Sequence, residues 1–182
     1  MQQSQQVIDE TKKWINEVVI GCNFCPFAAK VVKQQKVHYQ VEKSLKEQVC
    51  LEVFLKALVY LDDNENIETS FLIFSHAFSH FADYLHLVDD AEMLLQESGY
   101  EGIYQVASFH PNYLFAGAKE NDAANYTNRS IYPMLHLIRE TSIDEALVAF
   151  KNPDAIPQNN INFAQQKGLV YMQMLRDSCK NQ

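Results

Sequence analysis

The sequence predicts an α/β fold: a small, mostly parallel sheet of three or four strands with long crossover helices and extra C-terminal helices. Three observations carry this expectation. Two short apolar runs, Phe71–Phe74 and Ile103–Phe109, have strand length and β-rich composition, and a third segment alternates at Val37, Tyr39 and Val41. Long segments of helical periodicity separate the three. Strands that alternate with long helices imply crossover connections and parallel pairing.

Val7, Trp14, Ile15, Val18 and Val19 recur at helical spacing, and Gly21 follows as a stop. Pro26 opens a short helix, Phe27 to Lys33. After the alternating strand, Ser44 with Glu47 three residues on forms a capping box for a helix through about Leu61, which Asp62-Asp63-Asn64 ends. A helix from His76 to Ser98 carries Phe78, Phe81, Leu85, Val88 and Leu95, and Gly99 suits its left-handed cap. From about Ser130 the remainder reads as helical. Ser142 with Glu145 repeats the capping box, Asn152-Pro153 opens a further helix, and Gly168 interrupts the last one. The competing arrangement is a ferredoxin-like or otherwise mixed sheet, with a fourth strand near Tyr113 to Phe115.

At 182 residues the chain fits one globular domain spanning 1–182. Fifteen basic against 23 acidic residues leave a net charge of −8. That balance argues against nucleic acid and against a basic membrane-surface protein. The start is polar and Gln-rich, with no apolar run of signal or spanning length. Cys22, Cys25, Cys50 and Cys179 make a poor disulfide framework, so a cytoplasmic location is expected.

In open α/β sheets ligands bind beyond the carboxyl ends of the strands. Two predicted strands end in Phe74-Ser75-His76 and Ser108-Phe109-His110. Each histidine is either a base or metal ligand facing a crevice, or a loop residue bonded to backbone. The segment from His110 to Arg129 is long and aperiodic, which is uncommon inside a compact domain and usually functional. It runs through Asn125, Asn128, Arg129 and Ser130 into a predicted helix carrying His136 and Arg139. A helix start there would favour an anion, and Arg129 would add a forked contact; the bland reading is a plain cap. His136 is either a second acid/base group or a satisfied core-edge histidine.

Cys25 precedes Pro26 at a predicted helix N-terminus, where the dipole lowers a thiol pKa. It is either a nucleophile or a buried, inert thiol. Cys22 completes a C-x-x-C pair that follows a helix rather than a strand, which disfavours a redox dithiol. His76 and His80 form H-x-x-x-H, but Ala77 stands where a zinc protease needs Glu. No Gly-rich phosphate loop and no G-x-S-x-G elbow is present.

Several of these segments together resemble one family. Gly21, Asn23 and Cys25-Pro26-Phe27-Ala28 form the first block. Gln105 to Pro111, with Tyr113 and Phe115-Ala116-Gly117, form the second. Asn125 to Ser130 and Pro133 to Leu137, with Arg139-Glu140, complete the likeness to a bacterial domain-of-unknown-function family, number fourteen-fifteen. The resemblance covers most of the chain and implies no activity. It places the family's strongest blocks on the Cys25 loop, the His110 segment and the Arg129–His136 region. Two departures stand out: the family usually has an aliphatic residue at Cys22, and a proline rather than Ala77 after His76.

The leading functional expectation is an enzyme acting on a small anionic metabolite. Cys25 would be nucleophile or ligand, His110 general base or ligand, and His136 a second acid/base or orienting group. Arg129 would clamp the anion, with Asn125, Asn128, Ser130 and Tyr113 on the substrate side. Asp122 and Glu140 are candidates for the orienting carboxylate. One alternative is a zinc or iron protein with Cys25, His76, His110 and His136 as ligands. The other is a non-catalytic binding module.

Overall fold

The computed structural model describes residues 2–148 and 152–180. A helix, α1 (Gln2–Trp14), buries Val7, Glu10, Thr11 and Trp14 along one stripe and continues as a π-helical segment, Ile15–Ile20. Gly21 is what allows that widened turn. Its N–H reaches back five residues to Asn16 O at 3.0 Å, and a Cβ there would lie 2.2 Å from Glu17 O. Any side chain at this position must therefore displace backbone. The chain then forms α2 (Ala28–Lys33), β1 (Val37–Glu42), α3 (Glu47–Asp63), β2 (Thr69–Phe74), α4 (Phe81–Glu97) and β3 (Tyr104–Phe109). A 3-10 turn at Ala123–Thr127 leads to β4 (Met134–Arg139), α5 (Glu140–Val148), α6 (Ile156–Lys167) and α7 (Leu169–Asp177).

The sheet order is β1-β2-β4-β3. Strands β1 and β2 pair in parallel, whereas β4 is antiparallel to both β2 and β3. The expected mostly parallel sheet is thus corrected to a mixed, mostly antiparallel one. The three strands visible in the sequence do run the same way, but β4 inserts between two of them and reverses the pairing. Nor does the fourth strand fall at Tyr113–Phe115, which is loop.

The helix expected from about Ser130 is absent: residues 134–139 are strand. The misreading has a physical cause. A central strand is covered on both faces, so Met134-Leu135-His136-Leu137-Ile138-Arg139 shows no polar alternation. In a strand, residues three apart point to opposite faces, so His136 and Arg139 do not share one. Arg139 points to the α3 side, where its guanidinium bonds Leu61 O, Asn64 O at 3.3 Å and Tyr104 OH at 3.0 Å. It thereby satisfies carbonyls at the C-terminus of α3.

Both capping boxes also give way. Helix α3 starts at Glu47 with Lys46 at the cap, and Ser44 Oγ instead accepts from Lys46 N. Helix α5 follows β4 directly, and Ser142 Oγ bonds the Glu68 carboxylate. Helix α4 begins at Phe81 rather than His76, because Phe78 adopts φ +58°, which no α-helix tolerates.

The sheet separates two apolar layers. Leu72, Phe74, Leu135 and Leu137 pack against α3 and α4. Phe71, Ile73 and Met134 face α1, the π segment and the C-terminal helices, with Trp14, Ile15, Val18, Ala164 and Met172 opposite. No described helix is long and apolar enough to cross a membrane.

Candidate functional site

A cavity of about 290 Å³ lies against the α1 face of the sheet. Its floor is formed by Val37, Thr69, Phe71, Ala107, Phe109, His136 and Ile138 of the four strands. Trp14 and Val19 form one wall, and the short helices α2 and α5 form the outer one. Neither α2 nor α5 buries a residue completely. They lean on the cavity through Ala28, Val31, Ile143 and Ala146 instead of sealing against the sheet. The cavity is therefore on the face of the sheet, not in a crevice beyond the carboxyl ends of its strands as expected.

His136 is the central polar group of this floor. Across the ladder it stands between Phe71 on β2 and Ala107 on β3. Its ring stacks on Phe71 at 3.9 Å with 6° between the planes. Thr69 Oγ1 donates its single hydrogen to Leu137 O at 2.6 Å and lies 2.5 Å from His136 Nε2. A hydroxyl already donating can only accept, so Nε2 carries the imidazole proton and Nδ1 the lone pair. Burial holds the pKa down to about 3, so the ring is neutral.

The carboxylate beside the cavity is already paired. Glu68 bonds Lys36 at 2.8 Å and also Ser142, tying α5 to the sheet. Those two hydrogen bonds hold its pKa below the usual carboxylate value. Trp14 Nε1 is, among the described residues, the one fully covered side-chain nitrogen or oxygen without a hydrogen-bond partner. The Trp14 ring meets Phe109 edge-on, at 5.3 Å and 72°.

Cys25 borders the same cavity and, as expected, precedes a helix. Its electrostatics differ from expectation. Burial pushes the thiol up, and the backbone amides of Phe27 and Ala28 only partly offset it. Cys22 is buried, and all four cysteines are free thiols.

The remaining sequence candidates lie outside the cavity, and those of the 110–130 stretch work as staples. His110 is completely buried. Its Nδ1 accepts from Asn112 N at 3.0 Å, so Nε2 holds the proton and donates to Phe78 O at 2.8 Å. Burial pushes its pKa down, only partly opposed by that bond to Phe78. Both ring nitrogens are thus committed to backbone. Arg129 does not start a helix: Nε donates to Tyr113 O at 2.9 Å, Nη2 to Glu120 O at 3.1 Å, and the plane covers Tyr126.

Asn125, fully buried, bonds Lys119 O and Phe115 N. Asn128 bonds Ser108 O at 3.2 Å, and Ser130 bonds Tyr132 O at 2.5 Å. The Tyr113 ring packs on Phe81 and Phe115. The aperiodic 110–129 segment is therefore ordered by its own side chains, which supply the bonds that a helix or strand ladder otherwise would. Asp122 caps the 3-10 turn through Ala124 N. Glu140 begins α5, and His76 is exposed with Nδ1 2.8 Å from Ser75 Oγ. Cys25, His76, His110 and His136 do not gather into a ligand set. Among the described residues, no group of three or more His, Cys, Asp or Glu is placed to hold a metal ion.

Sequence reasoning missed Trp14, Thr69, Phe71 and Ala107 as site residues. The one available signal was the hydroxyl pair Thr69-Ser70 at the start of an apolar run.

The family described as protein of unknown function (DUF1415) matches residues 6–174. No curated protein and no solved structure matches the chain.

Proposed function

The chain belongs to this family of unknown function, so its activity must be read from its own cavity, and we propose that it binds a small, uncharged, mainly apolar molecule there. The observation that carries this reading is the pairing of greasy walls with a single neutral imidazole on the floor. Among the described lining residues there is no lysine or arginine to meet an anion, and the one carboxylate, Glu68, is already paired. Apolar cavities of about half this volume bind benzene-sized molecules.

Trp14, the single tryptophan of the chain, lies in the wall and reports occupancy through its emission. Titration with p-xylene is expected to change that emission saturably. Ala107→Leu, which places a larger side chain beside His136 in the β3–β4 ladder, is expected to abolish the response. A wild-type protein that gives no saturable response would overturn the reading.

The enzyme reading retains one support: Cys25 and His136 border the same cavity. It requires a reactive thiolate, which burial of Cys25 opposes. Cys25 is expected to react with iodoacetamide no faster than a free thiol at neutral pH. A faster reaction, slowed by His136→Phe, would favour catalysis over simple binding.

A further inference from the structure

The polarity of the occupant can be read from the floor of the cavity, on the premise that the cavity binds an apolar molecule. Thr69 fixes the tautomer of His136 by giving its only hydrogen to Leu137 O and receiving the one on Nε2. The other ring nitrogen is left as a pure acceptor, and no group among the described residues bonds it. Among the described residues the one fully covered, unpartnered side-chain nitrogen or oxygen is Trp14 Nε1, so His136 Nδ1 keeps accessible surface, and the cavity is what His136 borders.

An acceptor that faces a mainly apolar cavity gains free energy from a donor placed opposite it. We infer that the natural occupant carries one O–H or N–H donor, on an otherwise apolar frame, which hydrogen-bonds His136 Nδ1. Phenols and small hydrophobic alcohols have this chemistry. Carboxylates do not, because the site would set a lone pair against a negative charge.

The shape-matched pair p-cresol and p-xylene, which differ by a hydroxyl in place of a methyl, tests the inference in wild type and in His136→Phe. The variant keeps a ring on Phe71 and leaves Thr69 bonded to Leu137 O. In wild type, p-cresol is expected to bind at least as tightly as p-xylene, despite the greater cost of stripping water from its hydroxyl. In His136→Phe its affinity is expected to fall about tenfold or more, while that of p-xylene changes only a few-fold. Retained p-xylene binding shows that the variant cavity is intact.

In wild type the ¹⁵N resonance of His136 Nδ1 is expected to move on adding p-cresol and not p-xylene. If both probes bind but the variant weakens them equally, or leaves p-cresol unchanged, the inferred hydrogen bond is wrong and the apolar cavity stands. If neither probe binds wild type, the cavity reading fails, and this inference with it.

Discussion

His110→Ala is expected to lower folding stability by roughly 3 kcal/mol, read as a shift of the denaturation midpoint at unchanged slope. The truncation removes a fully buried ring packed against Phe81 and Tyr84, 5.2 Å and 5.0 Å away. It also strips Phe78 O and Asn112 N of their partners. The bond to Phe78 matters beyond its own strength. Phe78 sits in left-handed backbone that a bulky residue rarely adopts, and His110 is what holds it there. Binding of p-xylene by the surviving folded fraction is expected to be unaffected, since His110 is not a wall of the cavity. A loss below about 1 kcal/mol would contradict this structural role.

Acid is expected to destabilise the protein through His136. Its folded-state pKa is about 3, against about 6.5 for an unperturbed histidine. Between those values the unfolded chain binds a proton that the folded chain refuses, so stability falls as pH falls. The contribution is complete above pH 6.5 and drains away below it, by about 3 kcal/mol down to pH 4. Burial lowers the pKa of His38 and His110 as well, and these residues act in the same direction. The informative quantity is therefore the difference in slope between wild type and His136→Phe across pH 4–6.5. A variant with the wild-type slope would show that His136 titrates normally in the folded protein.

The sequence announced elements wherever one face was wet or a breaker intervened. Gly21, Pro26, Gly99 and Gly168 punctuate the chain as read, and β1 to β3 fall where apolar runs or alternation placed them. It concealed β4, because Met134–Arg139 is covered on both faces like β2 but, unlike β2, runs straight into a helix, so no breaker separates it from a helix start. Without β4 the site is displaced as well: the pattern places His136 on a helix beside Arg139, whereas the sheet sends the two to opposite layers. The 110–129 segment stands out in the sequence as long and aperiodic. Its polar residues, however, face their own backbone, and composition cannot distinguish a loop that holds a ligand from one that holds itself. The cavity is beyond the reach of local patterns, since residues from four separate stretches of chain, 14–37, 68–71, 107–109 and 136–146, bound it.

The late position of β4 in the chain bears on how the protein is made. Strands β2 and β3 point the same way but do not touch; residues 134–139 join them as a keystone. During synthesis, everything up to residue 133 emerges before the keystone exists, leaving two inner strand edges open to solvent or to a neighbouring nascent chain. Completion therefore waits on a contact that bridges distant parts of the sequence, a hallmark of slow folding. Until that piece arrives, the floor beneath the cavity has a gap where its histidine belongs.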